Sequence, residues 1–175
     1  MTIEIILLVL LVLFGLALAA AIFCIKKDKP NKYELISFKE AMALAELPVI
    51  TFMHKDKNLN LILDTGANLS VIDKTVAKKI KLQPTGEKTS LTGMTETSEE
   101  IDLAEIVLTY NNKDYNDIVQ IQDLSHIFSR IKKTTGVTVH GILGNSFMCN
   151  YQYTIDFKEM VAYSKGNKNG SKGTK

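Results

Sequence analysis

The sequence predicts a small, mostly β domain with short helices that follows a single N-terminal membrane helix. An uncharged apolar stretch of bilayer length lies near the N-terminus. Short runs rich in β-forming residues, separated by polar turns, fill most of the remainder. The 175 residues suffice for one domain with its own core. The net charge is only +2 and the sequence has no clustered basic face, so no nucleic-acid partner is expected.

The N-terminal stretch from Ile5 to Ile25 contains no charged residue and is rich in Leu, Val, Ile and Ala. As a helix that rises about 1.5 Å per residue, it spans roughly 31 Å, which matches the core of a bilayer. We therefore expect a single-pass transmembrane anchor in residues 1–26. A cleaved signal peptide is the alternative, because the alanines at 19–21 resemble a cleavage site, although the only early charge is the acid Glu4.

The charges that flank this stretch predict its orientation. Four lysines, at positions 26, 27, 29 and 32, follow it with only one acid among them, whereas Glu4 precedes it. Because positive residues stay on the cytoplasmic side of membranes, we expect the main domain to be cytoplasmic.

Residues 27–47 are predicted to be a linker that contains a short amphipathic helix from Ser37 to Leu47. Ser37 and Glu40 have the spacing of a capping box, and Pro48 ends the helix. We expect this helix to pack beside the domain or the membrane.

The first predicted β-hairpin joins strands at Val49 to His54 and Leu59 to Leu63, and it delivers Asp64 at its end. The polar stretch from Thr89 to Glu100 is expected to separate two extended segments. The other predicted elements are a helix at 75–80 capped by Asp73, a hairpin of strands 101–110 and 115–121, a helix at 127–133, a strand at 137–143, a helix at 145–149, a closing hairpin of strands 151–157 and 160–163, and a flexible tail at 165–175.

Asp64 lies immediately after three apolar β-forming residues, Leu61 to Leu63, and shortly before Gly66. Such a position holds a carboxylate at the end of a rigid strand, and the glycine permits a tight turn there. Short turns that contain Asp and Gly are common in β proteins, so the triplet Asp-Thr-Gly alone does not identify a catalytic acid.

Three elements in order resemble retropepsin-like aspartic proteases. The run Asp64 to Ile72 resembles the active-site loop of that family, and Gly141 to Met148 resembles the hydrophobic-hydrophobic-glycine element with the short helix that follows it. Tyr153 to Phe157 resembles the next strand. The resemblance implies a closed retropepsin-like β-barrel, a single acid-protease lobe, in residues 48–164.

The resemblance also implies roles for individual residues. Asp64 would be the catalytic carboxylate, and the hydroxyl of Thr65 would lock two active-site loops together. Gly66 and Ala67 would supply backbone contacts to the acid and the substrate. The residues that would support the loop are Ile142, Leu143 and Gly144, and the hairpin that would close over a bound peptide, the flap, falls at Thr92, Gly93 and Met94.

Asp-Thr-Gly occurs once in the chain, whereas the reaction needs two carboxylates that share one proton. The ionised carboxylate acts as general base on a water molecule while the protonated one polarises the scissile carbonyl. Asp73, Asp123 and Asp156 lack the Thr-Gly loop. We therefore expect a membrane-anchored aspartic endopeptidase that cleaves peptides or proteins as a homodimer, with Asp64 contributed twice across a two-fold axis.

Two other functions stay open at this point. One is a catalytically inactive retropepsin-like module for dimerisation or peptide binding. The other is a membrane-anchored structural β domain in which Asp64 merely caps a turn.

Two further features qualify the prediction. The segment from Asp123 to Val139 is longer than compact viral versions of the fold would have, and we expect it to shape a substrate cleft or cover an edge strand. His54, His126 and His140 show no ligand spacing, so neither a metal nor a cofactor is expected.

Overall fold

The computed structural model describes residues 34–92 and 98–164. The predicted transmembrane segment from Ile5 to Ile25, the predicted flap residues Gly93 and Met94, and the tail 165–175 lie outside these ranges. Within the two described ranges, no helix combines the length and the apolar character needed to cross a bilayer.

Short strands predominate in the described part of the chain, and the helices connect them. The strands are β1 (Glu34–Ser37), β2 (Val49–His54), β3 (Lys57–Leu63), β4 (Ser70–Asp73), β5 (Pro84–Thr92), β6 (Ser98–Tyr110), β7 (Lys113–Gln122), β8 (Gly141–Leu143), β9 (Tyr153–Asp156) and β10 (Val161–Ser164). The helices are α1 (Lys39–Ala45), α2 (Lys74–Lys79), α3 (Ser125–Thr135) and α4 (Asn145–Asn150).

Six strands close into a barrel in the order β2-β3-β8-β4-β7-β6. The ring closes where β6 pairs with β2, at Thr109 and Met53, and β5 continues the sheet beyond β6. This arrangement confirms the prediction of a mostly β, closed barrel with short helices.

Aromatic side chains form the centre of the barrel core. Phe52, Tyr115 and Phe147 are each at most 2% exposed. The ring of Phe147, from α4, lies 5.8 Å from that of Phe52 and 5.5 Å from that of Tyr115. The short helix α4 is therefore anchored in the interior by one large side chain, whose burial contributes roughly 2–3 kcal/mol.

The β6–β7 hairpin confirms the predicted strands and their turn. Its two turn residues, Asn111 and Asn112, both have positive φ angles, 49° and 62°. Two such residues form the turn whose twist matches paired antiparallel strands, and asparagine tolerates this conformation better than most residues. The predicted hairpins β2–β3 and β9–β10 also form.

A second, three-stranded sheet has the order β1-β10-β9. Strand β1 was not predicted, because it has only four residues and buries a single side chain, Ile36. Its pairing partner, β10, lies more than a hundred residues away, so no local pattern indicates it.

Three predicted elements have different bounds in the structure. The capping box at Ser37 is wrong, because Ser37 pairs with Val161 in the second sheet and Phe38 occupies the N-cap position of α1. The polar stretch from Thr89 to Glu100 continues strands β5 and β6 wherever the structure describes it. Of the strand predicted at 137–143, only Gly141–Leu143 forms.

Helix α3 lies in the segment that the sequence analysis singled out for its length. Its buried Phe128 packs with Val49 and Val139, and half-buried Ile62 and Ile142 are among the residues packed against this cluster. Ile62 and Ile142 alternate with residues that face the barrel core, so the cluster lies on the outside of the barrel. The segment therefore covers β2, β3 and β8. The prediction that it covers an edge strand is wrong, because each of these strands has a neighbour on both sides.

His140 joins the strands on both sides of β8. Its backbone N–H donates to the carbonyl of Asn60 at 2.8 Å, and its Nδ1 accepts the N–H of Asn60 at 2.9 Å. Its carbonyl accepts the N–H of Asp73 at 3.0 Å. Burial lowers the pKa of His140, the positive charges of Lys79 and Lys132 lower it further, and Asp73 opposes them.

We predict that His140 makes the fold sensitive to mild acid. Protonated Nδ1 cannot accept the N–H of Asn60, and a lowered folded-state pKa means that the neutral ring is favoured in the native protein. The stabilisation is therefore complete above the unfolded pKa of about 6.5 and is lost as the pH falls through the lower folded-state value. Thermal unfolding at about pH 7.5 and about pH 5 measures the loss. This loss of stability should be smaller in His140→Asn, whose side-chain oxygen accepts a hydrogen bond at any pH. An equal loss in both proteins would contradict the role of His140 in the acid sensitivity.

Candidate active site

Asp64 lies on an exposed loop at the end of β3 and is held there by backbone hydrogen bonds. Its N–H donates to the carbonyl of Leu143 at 3.0 Å, which continues the parallel pairing of β3 with β8. Its Oδ1 accepts the N–H of Gly66 at 2.8 Å. One carboxylate oxygen is thus fixed by the turn that follows the strand, and the side chain remains open to solvent or to a partner.

The residues predicted to act with Asp64 lie beside it. Thr65 and Gly66 are exposed and Ala67 is half-buried. The carbonyl of Ala67 accepts the N–H of Asn145 at 2.7 Å, and the carbonyl of Asn68 accepts the N–H of Ser146 at 2.9 Å. These donors belong to the first turn of α4, whose N–H groups have no partner within the helix. The loop and α4 therefore satisfy each other's backbone groups.

The predicted supporting residues, from Ile142 to Gly144, do lie behind this loop. Strand β8 is inserted between β3 and β4, parallel to the first and antiparallel to the second. The backbones approach so closely that a Cβ on Gly144 would lie 2.4 Å from the carbonyl carbon of Leu69, and one on Gly141 would lie 2.3 Å from the carbonyl oxygen of Val71. Both positions therefore require glycine for space.

The predicted flap falls at the end of the β5–β6 hairpin. Thr92 is the last residue of β5 and pairs with Ser98 of β6. Gly93 and Met94 lie between these two residues, in the part of the chain that the structure does not describe. The assignment of the flap residues stays a prediction.

The other candidate carboxylates within the chain have structural roles. Asp73 is buried and accepts the N–H of Thr75 at 2.9 Å and that of Leu124 at 3.0 Å, so it caps α2 as predicted and also holds the entry to α3. Asp123 and Asp156 each accept backbone N–H groups of the turns that follow them. None of the three sits on a loop like that of Asp64.

A buried carboxylate that was not predicted from the sequence, Asp117, lies on the neighbouring strand β7. It is 5% exposed, its Oδ1 accepts the N–H of Ile118 at 3.0 Å, and the hydroxyl of Ser70 donates to it. Burial raises the pKa of Asp117, and these two hydrogen bonds oppose the rise. The sequence pattern could have indicated it, because Asp117 lies midway between Tyr115 and Val119 and alternate residues of a strand face the same side.

Ser70 connects Asp117 to the element behind the Asp64 loop. Its Oγ accepts the N–H of Gly144 at 3.0 Å while its hydroxyl hydrogen points to Asp117. The buried carboxylate therefore fixes the orientation of a hydroxyl that holds β8 to the end of the Asp64 loop.

We predict that Gly144→Ala destabilises the protein through steric overlap alone. Gly144 has extended backbone angles, φ −87° and ψ 176°, which any residue adopts. The added methyl group would meet the backbone at Leu69 and force β8 and the loop apart, at a cost of roughly 2–3 kcal/mol. Denaturant unfolding measures the change.

Gly136→Ala is the matched control for this prediction. Gly136 has a φ of 77°, but a Cβ there would meet nothing within 4 Å. Only the conformational penalty of about 1–2 kcal/mol applies. If Gly136→Ala proves to be the more destabilising of the two, the close contact of β8 with the loop is not a major determinant of stability.

Solved structures from EIAV, Rickettsia conorii and Leishmania major match parts of this chain. The protease of EIAV, solved with the inhibitor HBY-793, is 18% identical over 63% of this chain and 93% of that one, with a TM-score of 0.45. A retropepsin-like aspartic protease from Rickettsia conorii is 18% identical over 75% of this chain and 90% of that one, with a TM-score of 0.49. The retroviral protease-like domain of Ddi1 from Leishmania major is 12% identical over 64% and 78%, with a TM-score of 0.45.

A search of curated proteins gave no match. The family model described as aspartyl protease matches residues 50–147, more than half of the chain. The matched range contains the Asp64 loop, β8 and the start of α4, which are the parts that build the site. This chain belongs to the aspartyl protease family.

Proposed function

We propose that the chain is a membrane-anchored aspartic endopeptidase that is active as a homodimer, with one Asp64 from each copy. The observation that carries the proposal is an exposed carboxylate, fixed by its own loop, on a motif that occurs once in the sequence. One copy of the chain supplies half of the acid pair that this family's chemistry needs.

The chemistry explains the need for a second copy. A single carboxylate cannot remove a proton from water and donate a hydrogen bond to the scissile carbonyl at the same moment. Two carboxylates a few ångströms apart do not both ionise, so one stays protonated and the pair divides these tasks. A two-fold axis beside the exposed face of Asp64 brings an identical carboxylate to it without any further active-site residue.

The rigidity of the loop supports the same proposal. A catalytic pair must be held to within a fraction of an ångström, which requires backbone contacts rather than flexible side chains. The Asp64 loop is bonded to β8 through Leu143 and to α4 through Asn145 and Ser146. The roles proposed for Thr65, Gly66, Ala67 and the flap follow from the resemblance and depend on the dimer.

The membrane anchor would control when the dimer forms. Two chains confined to one membrane surface meet at a much higher effective concentration than in solution. The proposed anchor is Ile5 to Ile25, and the lysines that follow it favour a cytoplasmic domain. Activity would then depend on the density of the chain in its membrane.

A catalytically inactive module for dimerisation or peptide binding would have the same fold and the same pairing of chains as the protease. Only the cleavage of peptides distinguishes the two functions. We predict that Asp64→Asn lowers peptide cleavage by the full-length chain about a thousandfold or more, because the amide cannot act as a base. Asparagine still accepts the N–H of Gly66 at the exposed site, so the melting temperature and the dimer should change little. Cleavage of a peptide library in detergent measures the loss.

The matched control is Asp56→Asn, which changes an exposed carboxylate in the β2–β3 turn and should leave cleavage unchanged. Wild-type chains mixed with an excess of Asp64→Asn chains test the sharing of the site. Activity per wild-type chain should fall as mixed dimers form, and a constant activity per wild-type chain would refute the shared pair. A wild-type chain that binds peptides without cutting them would instead support the inactive module.

We predict that a fluorescent protein fused after Lys175 fluoresces in the cytoplasm of expressing cells, because the lysines at 26, 27, 29 and 32 hold that flank inside. Replacing these four lysines with glutamate should reduce the fluorescent fraction and expose the domain to protease added outside. An external domain in the unaltered chain would overturn the proposed orientation.

A further inference from the structure

A cavity of about 820 Å³ lies between α4 and the β6–β7 hairpin. Glu105 and Val107 of β6, Asp117 of β7, and Ser146 and Asn150 of α4 line it, together with Leu69. A volume of this size accommodates a long side chain with part of its backbone.

The cavity adjoins the loop that carries Asp64. Leu69 belongs to the segment between Asp64 and β4, and Ser146 donates its N–H to the carbonyl of Asn68 at 2.9 Å. A molecule bound in the cavity therefore contacts the same loop and helix that position the catalytic carboxylate.

Two buried polar atoms of the residues that line this cavity have no hydrogen-bond partner. They are Oδ2 of Asp117, a residue that is 95% buried, and Oγ of Ser146. A buried carboxylate oxygen without a donor is costly, and a ligand that brings a donor removes that cost. Asp117 has hydrogen bonds to Ser70 and Ile118 within the chain, and its Oδ2 has no partner among the described residues.

The remaining lining restricts the chemistry of such a ligand. Leu69, Val107 and Ile118 are apolar, and Val107 and Ile118 are 42% and 47% exposed. Glu105, which is exposed, adds a second carboxylate, and no lysine or arginine of the described residues lines the cavity. An apolar stem that ends in a cation matches this lining, because the stem covers the aliphatic wall and the cation supplies donors to the carboxylates.

We propose that this cavity is a subsite for a lysine or arginine side chain of the peptide substrate, with its cationic group on Asp117. That the cation arrives on a peptide rests on the proposed protease function. That the cavity binds an alkyl cation rests on Asp117, Ser146 and the apolar wall alone. The two parts therefore need separate measurements.

The first experiment uses n-butylguanidinium and its uncharged analogue n-butylurea as probes of the full-length chain in detergent. We expect saturable shifts of the amide NMR signals of Asp117, Ile118 and Ser146 with the cation, and binding at least about tenfold weaker with the urea. Asp117→Asn should remove this difference. Asp102→Asn, the same change at an exposed position of β6, should keep it.

A second variant guards against misfolding of Asp117→Asn. Glu105→Lys replaces an exposed carboxylate of the lining with an ammonium group, which repels a bound cation, so it should reduce the preference for the cation. Equal binding of the cation and the urea to the wild-type chain, or an undiminished preference in a folded Asp117→Asn or Glu105→Lys variant, would overturn the cavity assignment.

The second experiment compares cleavage of peptides that differ only by arginine or citrulline. Wild-type kcat/KM should favour the arginine peptide about tenfold or more at one or more positions, and the ratio should approach one in Asp117→Asn. Cleavage without this preference overturns the subsite but leaves the protease function intact. Cation binding without any cleavage overturns the protease function and the substrate assignment, and leaves an alkyl-cation site.

Discussion

The insertion of β8 between β3 and β4 is the contact on which the rest of the structure depends. It closes the barrel on this side, and it supplies the carbonyl of Leu143 that receives the N–H of Asp64. The insertion is possible only because Gly141 and Gly144 leave room for neighbouring backbones. The two glycines therefore support the Asp64 loop through the close approach of backbones that they allow.

Much of the fold was predictable because its signals are local. Alternating side chains and the turn at Asn111 and Asn112 predict the β6–β7 hairpin, and Asp73 caps α2 as its position predicts. Strand β1 was not predictable, because it is stabilised by pairing with a distant strand rather than by its own four residues. The same reason explains the error at Ser37, where sheet pairing outweighed the capping preference.

The residues of the candidate site also differ in whether their sequence context predicts them. Asp64 and the run from Ile142 to Gly144 were predictable, because a family motif and a steric requirement fix these residue types. Asp117 was not, since its surroundings depend on Ser70, which hydrogen-bonds to it, and on Ser146, which lines the same cavity, and both are distant in sequence. A buried carboxylate with a raised pKa weakens the fold unless something offsets its charge, and such groups cluster at functional sites. Its position in the fold, close to the Asp64 loop, is therefore informative in a way that its sequence context is not.

Symmetry gives the proposed site a property that a single chain lacks. If the Asp117 cavity is the proposed subsite, a homodimer that shares its Asp64 pair carries two copies of it, related by the same axis and placed on opposite sides of the scissile bond. A peptide has a direction, so the two copies meet different substrate positions, one on each side of the scissile bond. A substrate with basic residues on both sides would engage both copies at once, and the second contact would be intramolecular and correspondingly favourable. The most selective substrates should therefore carry paired basic residues that flank the cleaved bond, a pattern that follows from one buried carboxylate and a two-fold axis.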